Sequence, residues 1–117
     1  MSDCLFCKID RGEIPAEKVY EDDDLFVIKD INPQAPTHVL IIPKATDIPR
    51  LVDANESHQQ LLGHLMLVAG KVSQQLGVDD AFRLVINNGA DAGQTVFHLH
   101  MHILAGKTFN EGALATF

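Results

Sequence analysis

The chain has no tryptophan, one tyrosine and two cysteines among its 117 residues. Two cysteines cannot build a disulfide scaffold, and Cys4 and Cys7 stand too close in sequence to staple distant elements. A reducing compartment, the cytoplasm, is therefore the expected setting. Basic residues are scarce too: nine Lys and Arg against 16 Asp and Glu leave a net charge of −7. A surface of that sign repels phosphate backbones, which disfavours a nucleic-acid-coating role but still allows a small phosphorylated ligand in one local pocket. No apolar run approaches the roughly 18 residues of a membrane span, and Met1-Ser2-Asp3 opens on acidic rather than basic sequence. Neither an anchor nor an export leader is expected. Repeats, low-complexity tracts and linkers are missing as well. At 46% hydrophobic residues the chain can fill one core, so residues 1–117 read as a single domain.

Glycine, proline and acidic clusters divide the chain into short elements. Leu5, Phe6 and Ile9 suggest a helical face that Arg11-Gly12 ends and Pro15 keeps from continuing, which predicts one short helix within 4–14. Lys18 to Glu21 and Leu25 to Lys29 flank Asp22-Asp23-Asp24, the pattern of strand, turn and strand. Asn32-Pro33-Gln34-Ala35-Pro36 loses two backbone donors to proline and must be a loop. It leads into an apolar strand, His38 to Ile42, that Pro43 closes. Leu61, Leu65, Val68, Val72 and Leu76 recur at helical spacing, and Leu62, Met66 and Ala69 widen the stripe. Asp53 with Glu56 offers a capping box and Gly77 a stop, so one long helix is predicted there. Phe82 to Asn87 reads as a strand, Asn88 to Gln94 as a glycine-bearing loop and Val96 to Leu104 as the last strand. Five strands, mostly neighbours in sequence, with two helices predict an α+β fold on an antiparallel sheet.

The chemistry concentrates in Phe97-His98-Leu99-His100-Met101-His102-Ile103-Leu104. Alternation puts three imidazoles on one face and Leu99, Met101 and Ile103 on the other, which must be core. Same-face side chains stand about 7 Å apart, so three histidines would line a groove of about 14 Å. An ordinary solvent face mixes Lys, Glu and Thr, and three alternate histidines call for another explanation. Imidazoles at i and i+2 can ligate one metal ion, with His38 available as a third ligand. Imidazole can equally be a nucleophile or proton donor near neutral pH. The preceding segment favours the second use, because Gly89, Gly93, Gln94 and Thr95 supply the backbone N–H groups, amide and hydroxyl that a phosphoryl oxygen needs. Alone, that segment is also a plain turn between two strands; it gains weight beside the histidines.

His98 through Leu104 resembles the His-φ-His-φ-His-φ-φ signature of the histidine triad family, φ being apolar. The likeness covers almost the whole chain: Cys4 to Glu21, Asp30 to His38, Leu61-Leu62-Gly63-His64-Leu65-Met66 and Gly93 to His102 all look like the Hint branch, the purine nucleoside phosphoramidases. The resemblance implies an α+β homodimer whose five-stranded sheets join into one, each subunit binding a purine nucleoside monophosphate. It implies hydrolysis of the P–N bond of purine nucleoside 5′-phosphoramidates through a nucleotidyl-histidine intermediate. On that reading His100 is the nucleophile, His102 contacts the phosphoryl or leaving group, and His98 and His38 orient the imidazoles. Asn87, Gly93, Gln94 and Thr95 would bind the phosphate region, Thr95 standing where many members have Ser. Asp30 would accept from the ribose hydroxyls, and Leu5, Phe6, Ile9, Ile28, Ile31 and Leu40 would wall the base. Without the family, Asp30 reads as well as an acceptor for the Asn32 or Gln34 amides, and Phe6 and Ile9 as core.

Two departures qualify the likeness. Some members bind zinc through a Cys-x-x-Cys pair, a His shortly after the Pro-Lys that closes the His38 strand, and the first triad His. Cys4, Cys7 and His98 match, but Thr46 takes the remaining place, so neither zinc nor another cofactor is expected. Relatives also often end in a Trp that reaches the partner's site, whereas this chain ends Asn110 to Phe117 without one. The competing readings are a nucleotide-binding regulatory protein whose hydrolysis is incidental, and a His-ligated metalloenzyme.

Overall fold

The computed structural model describes residues 4–114, so the Met1 to Asp3 reading and the last three residues of the tail lie outside the described residues. Helix α1 (Leu5–Asp10) precedes strands β1 (Lys18–Glu21), β2 (Leu25–Lys29) and β3 (Thr37–Pro43). The long helix α2 (Gln59–Gln75) follows, and β4 (Phe82–Val85) and β5 (Met101–Ala105) complete the chain with short 3-10 turns between elements. All strand pairs are antiparallel in the order β1-β2-β3-β5-β4, which is the α+β architecture expected. No helix among the described residues is long and apolar enough to cross a membrane.

The near-continuous apolar runs of β2 and β3 follow from burial on both faces. Alternation along them divides two cores. Leu25, Val27, Val39 and Ile41 pack with Leu65, Val68, Ala69 and Val72 of α2 and with Leu99, Met101 and Ile103. Phe26, Ile28, Leu40 and Ile42 face the other way and pack with Phe6 and Ile9 of α1. The same alternation sets the triad histidines against α1, on the second face. The turn between β1 and β2 is tied to α2 by Asp22, whose carboxylate accepts from His64 Nε2 at 2.7 Å and Tyr20 Oη at 3.0 Å. Partial burial opposes ionisation there, yet these bonds and the Asp24 and Leu25 N–H groups hold the carboxyl down at about 2.

Three boundaries differ from expectation. Asp53 caps no part of α2; it closes a box with Arg50, while the entry to α2 is a 3-10 turn capped by Asn55, whose side chain accepts from Ser57 N–H at 2.9 Å. At the other end Gly77 stops the helix as predicted, with φ at +72° and the paired bonds Val78 N–H to Ser73 C=O and Gly77 N–H to Gln74 C=O. The last strand starts at Met101, not Val96, and β4 ends at Val85, not Asn87. Leu99 N–H donates to the Ile48 carbonyl at 2.9 Å rather than to a strand neighbour, so His98 and His100 alternate like strand residues without belonging to the ladder. The Cys4 and Cys7 sulfurs are bonded to each other, closing a loop too short to join separate elements.

Candidate active site

The sheet register brings His38 and His102 together. Leu40 pairs with His102 and His38 with Leu104, so the two histidines are diagonal neighbours on one face, their ring centroids 5.2 Å apart. Hydrogen bonding then fixes both tautomers. The Gln34 N–H donates to His38 Nδ1 at 3.0 Å, which leaves the ring proton on Nε2, and Nε2 lies 2.9 Å from His102 Nδ1. His102 Nδ1 therefore accepts and its Nε2 carries the proton. Asp30 Oδ2 stands 3.4 Å from the same His38 nitrogen, while Asp30 Oδ1 accepts the Asn32 N–H at 2.8 Å.

His100 has the opposite tautomer. Its Nδ1 is 2.8 Å from the His98 carbonyl oxygen, which can only accept, so Nδ1 carries the proton and Nε2 bears the free lone pair. Phe6 packs edge-on to this ring at 4.8 Å between centroids, and His102 lies 5.2 Å away. His98 Nε2 donates to the Pro43 carbonyl at 2.6 Å, which leaves its Nδ1 unprotonated. Burial pushes all four imidazoles below their ordinary value. The effect is largest for His102, brought down to about 4 by burial and by the neighbouring His100 and His38. The cluster is thus neutral near pH 7, with one unprotonated nitrogen at His100 and one N–H at His102 available for chemistry.

His100 and His102 line a cavity of about 330 Å³ together with Asp30, Thr95, Leu5, Phe6, Ile9, Ile28, Ile31 and Leu40. All six residues expected to wall the base line this cavity. Ile31 stands at the rim, 91% exposed. Ile14, Pro15, Ala16, Lys29, Asn32 and Val96 also line the cavity; most stand in irregular backbone, where no periodicity in the sequence shows which way a side chain faces. Gln94 departs from expectation. Its side chain is 3% exposed, its Nε2 donates to the carbonyls of Pro49 and Val96, and its Oε1 accepts the Gly89 N–H. Gln94 braces the loop, and its amide has no donor left for a phosphate. Gly93, at φ +99°, lies beside the Asn87 amide, 3.5 Å from where a Cβ would stand, so Asn87 and Gly93 flank the loop rather than the cavity.

Three groups among the described residues could be weighed as metal ligands. Asp22, Asp24 and His64 meet at the turn between β1 and β2, where the Asp22 carboxylate is already taken up by His64, Tyr20 and the Asp24 and Leu25 N–H groups. Asp30, His38 and His102 cluster, but the proton shared between His38 and His102 engages the nitrogens an ion would need. Cys4, Cys7 and His98 meet, and Cys7, His98 and Thr46 border one cavity of about 170 Å³. A closed zinc centre takes four Cys, His or carboxylate ligands. Three donors, two of them bonded to each other, and a threonine hydroxyl do not fit one.

A family model for the HIT domain matches residues 11–109. An uncharacterized HIT-like protein of Synechocystis is 58% identical over 108 residues, covering 92% of this chain and 94% of its own. A maize protein called a 14 kDa zinc-binding protein is 47% identical over 110 residues, covering 93% and 86%. A solved HIT family hydrolase from Clostridium thermocellum superposes with a TM-score of 0.92 at 46% identity, covering 97% of this chain and 99% of its own. The fold and the histidine cluster define a histidine triad protein. The chain belongs to the HIT domain family.

Proposed function

We propose that the protein hydrolyses the P–N bond of purine nucleoside 5′-phosphoramidates, with His100 as the nucleophile. The observation that carries this reading is the His100 Nδ1 bond to the His98 carbonyl, which leaves Nε2 as a neutral nucleophile on a ring that lines the cavity. Attack of Nε2 on phosphorus expels the amine and forms a nucleotidyl-histidine; water then releases the nucleoside monophosphate. His102 Nε2–H donates to a phosphoryl oxygen or the leaving amine, and its proton is held in place from behind by His38 and the Gln34 N–H. The Thr95 hydroxyl serves the phosphate, Asp30 the ribose, and the apolar wall from Leu5 to Leu40 takes the base. No cofactor enters these steps.

A homodimer joined along β4 is part of the same reading. It is supported by the position of β4 at the sheet edge with all four residues half-buried, and by Met66 and Leu67 exposed on α2. A monomer mass by light scattering at micromolar concentration would count against it. The central test is His100→Ala, expected to abolish turnover of an adenosine 5′-phosphoramidate while nucleotide affinity persists. Acid quench of a slow substrate followed by mass spectrometry should place the adduct on His100. An adduct elsewhere, or near-normal turnover in the variant, refutes the assignment, and binding without turnover in the intact protein would favour the regulatory reading.

A further inference from the structure

Cys4 stands at the N-cap of α1, where its Sγ accepts the Cys7 N–H at 3.1 Å, and the two Cα atoms are 5.1 Å apart. That separation is one a disulfide spans without backbone movement. Both sulfurs face a single ring nitrogen, His98 Nδ1 being 3.6 Å from Cys4 Sγ and 3.7 Å from Cys7 Sγ. His98 Nε2 holds the ring proton against Pro43, so Nδ1 presents a lone pair that can accept an S–H hydrogen bond once the pair is reduced. Cys4 is half-buried and Cys7 buried, a difference that makes Cys4 the sulfur open to a small thiol and Cys7 the resolving one.

The pair brackets the residue that touches the triad. Phe6 lies between the two cysteines in sequence, and its ring is 6.0 Å from His98 and 4.8 Å from His100 between centroids. Leu5, Phe6 and Ile9 of the same short helix wall the cavity. We propose that Cys4 and Cys7 form a reversible dithiol–disulfide couple that sets the first turn of α1 against His98 and His100. In a reducing compartment such a pair acts as a redox-responsive element rather than a permanent staple. Thr46, which leaves the same residues short of a zinc ligand set, is consistent with that use.

A low-molecular-weight thiolate attacks Cys4 Sγ, the Sγ–Sγ bond breaks, and its electron pair leaves on Cys7, which takes up a proton. A second thiolate attacks the external sulfur of the mixed disulfide and releases Cys4 as a thiol. Two external thiols lose two electrons and two protons to become a disulfide, and the cysteine pair gains them. Oxidation by a low-molecular-weight disulfide is the reverse.

The couple stands on this geometry alone, while its effect on nucleotide binding rests on the proposed function. The test equilibrates the protein in glutathione buffers from reducing to oxidising, quenches in acid, alkylates and weighs the products. One transition from two alkylated cysteines to none is expected, and Cys4→Ser or Cys7→Ser should yield only a glutathione adduct. Hydrogen exchange over residues 4–14 should differ by about threefold or more between the two states. Thiols that stay alkylatable at every ratio, stoichiometric zinc that shields both, or identical exchange in the two states would overturn the proposal. Calorimetry with AMP should show affinities about threefold or more apart in the wild type and equal in the double Ser variant. Equal affinities in the wild type overturn the link to the pocket. AMP that binds in neither state counts against the proposed function, and the alkylation and exchange results still decide the couple.

Discussion

His102 should make the protein acid-sensitive to a measurable degree. In the folded chain its imidazole titrates at about 4, against an ordinary value of 6.5. Between those values the unfolded chain binds a proton that the folded one refuses, so the stabilisation is complete above pH 6.5 and is lost as pH falls toward 4. At pH 5 the two proton affinities correspond to about 2 kcal/mol lost through this one group. His102→Gln keeps a polar side chain of similar reach and removes the titration. Urea denaturation at pH 7 and pH 5 should show a wild-type loss that exceeds the loss in His102→Gln by about 2 kcal/mol. Equal losses in the two proteins would refute the claim that His102 is held neutral by its surroundings.

If the Asp30 carboxylate accepts from the ribose hydroxyls, Asp30→Ala should weaken AMP binding by about 1.5 to 3 kcal/mol in calorimetry. Unchanged affinity would limit Asp30 to its observed bond with the Asn32 N–H. Gly106 has φ at +92°, and a Cβ there would meet Pro36 Cβ at 2.8 Å. Gly106→Ala should therefore cost about 2 to 4 kcal/mol in urea melts, through left-handed strain and a clash with a rigid ring. A loss below about 1 kcal/mol would show that the Pro36 loop yields freely.

The face on which the histidines lie was legible because a rare residue alternated with apolar ones, and an alternating pattern survives where strand pairing does not. The end of the ladder was not legible. Nothing in Val96 to His100 marks the place where backbone donors turn to other partners, as Leu99 does toward Ile48. Gln94 illustrates the same limit for side chains: an amide suits a phosphate or a loop carbonyl equally well, and only the fold put Pro49 and Val96 within its reach. Asp53 reads as a cap for the long helix because an acidic residue before a helical stripe fits any nearby turn, whereas in the fold Arg50 holds it. Cys4 and Cys7 were legible as a pair but not as a bond, because Cys-x-x-Cys at a helix start suits a metal, a dithiol or a disulfide.

The early end of the ladder has a chemical consequence at His100. In a paired strand the carbonyl of residue i points along the sheet to a neighbouring strand and is not open to the side chain at i+2. Here β3 ends at Pro43, and Pro43's carbonyl takes the His98 ring instead of a ladder N–H. The His98 carbonyl is free to take the His100 Nδ1 proton. His102, by contrast, remains in the ladder between Leu40 and Val85, and its tautomer is set by a side chain from the next strand. One imidazole is thus oriented by irregular backbone and the other by regular pairing, and the two protons are placed oppositely on adjacent rings. Extending β5 back through His98 would remove that difference, because the carbonyl that holds the His100 proton would turn into the sheet. The irregular segment is therefore what turns a row of like histidines into a base with a free lone pair beside a donor.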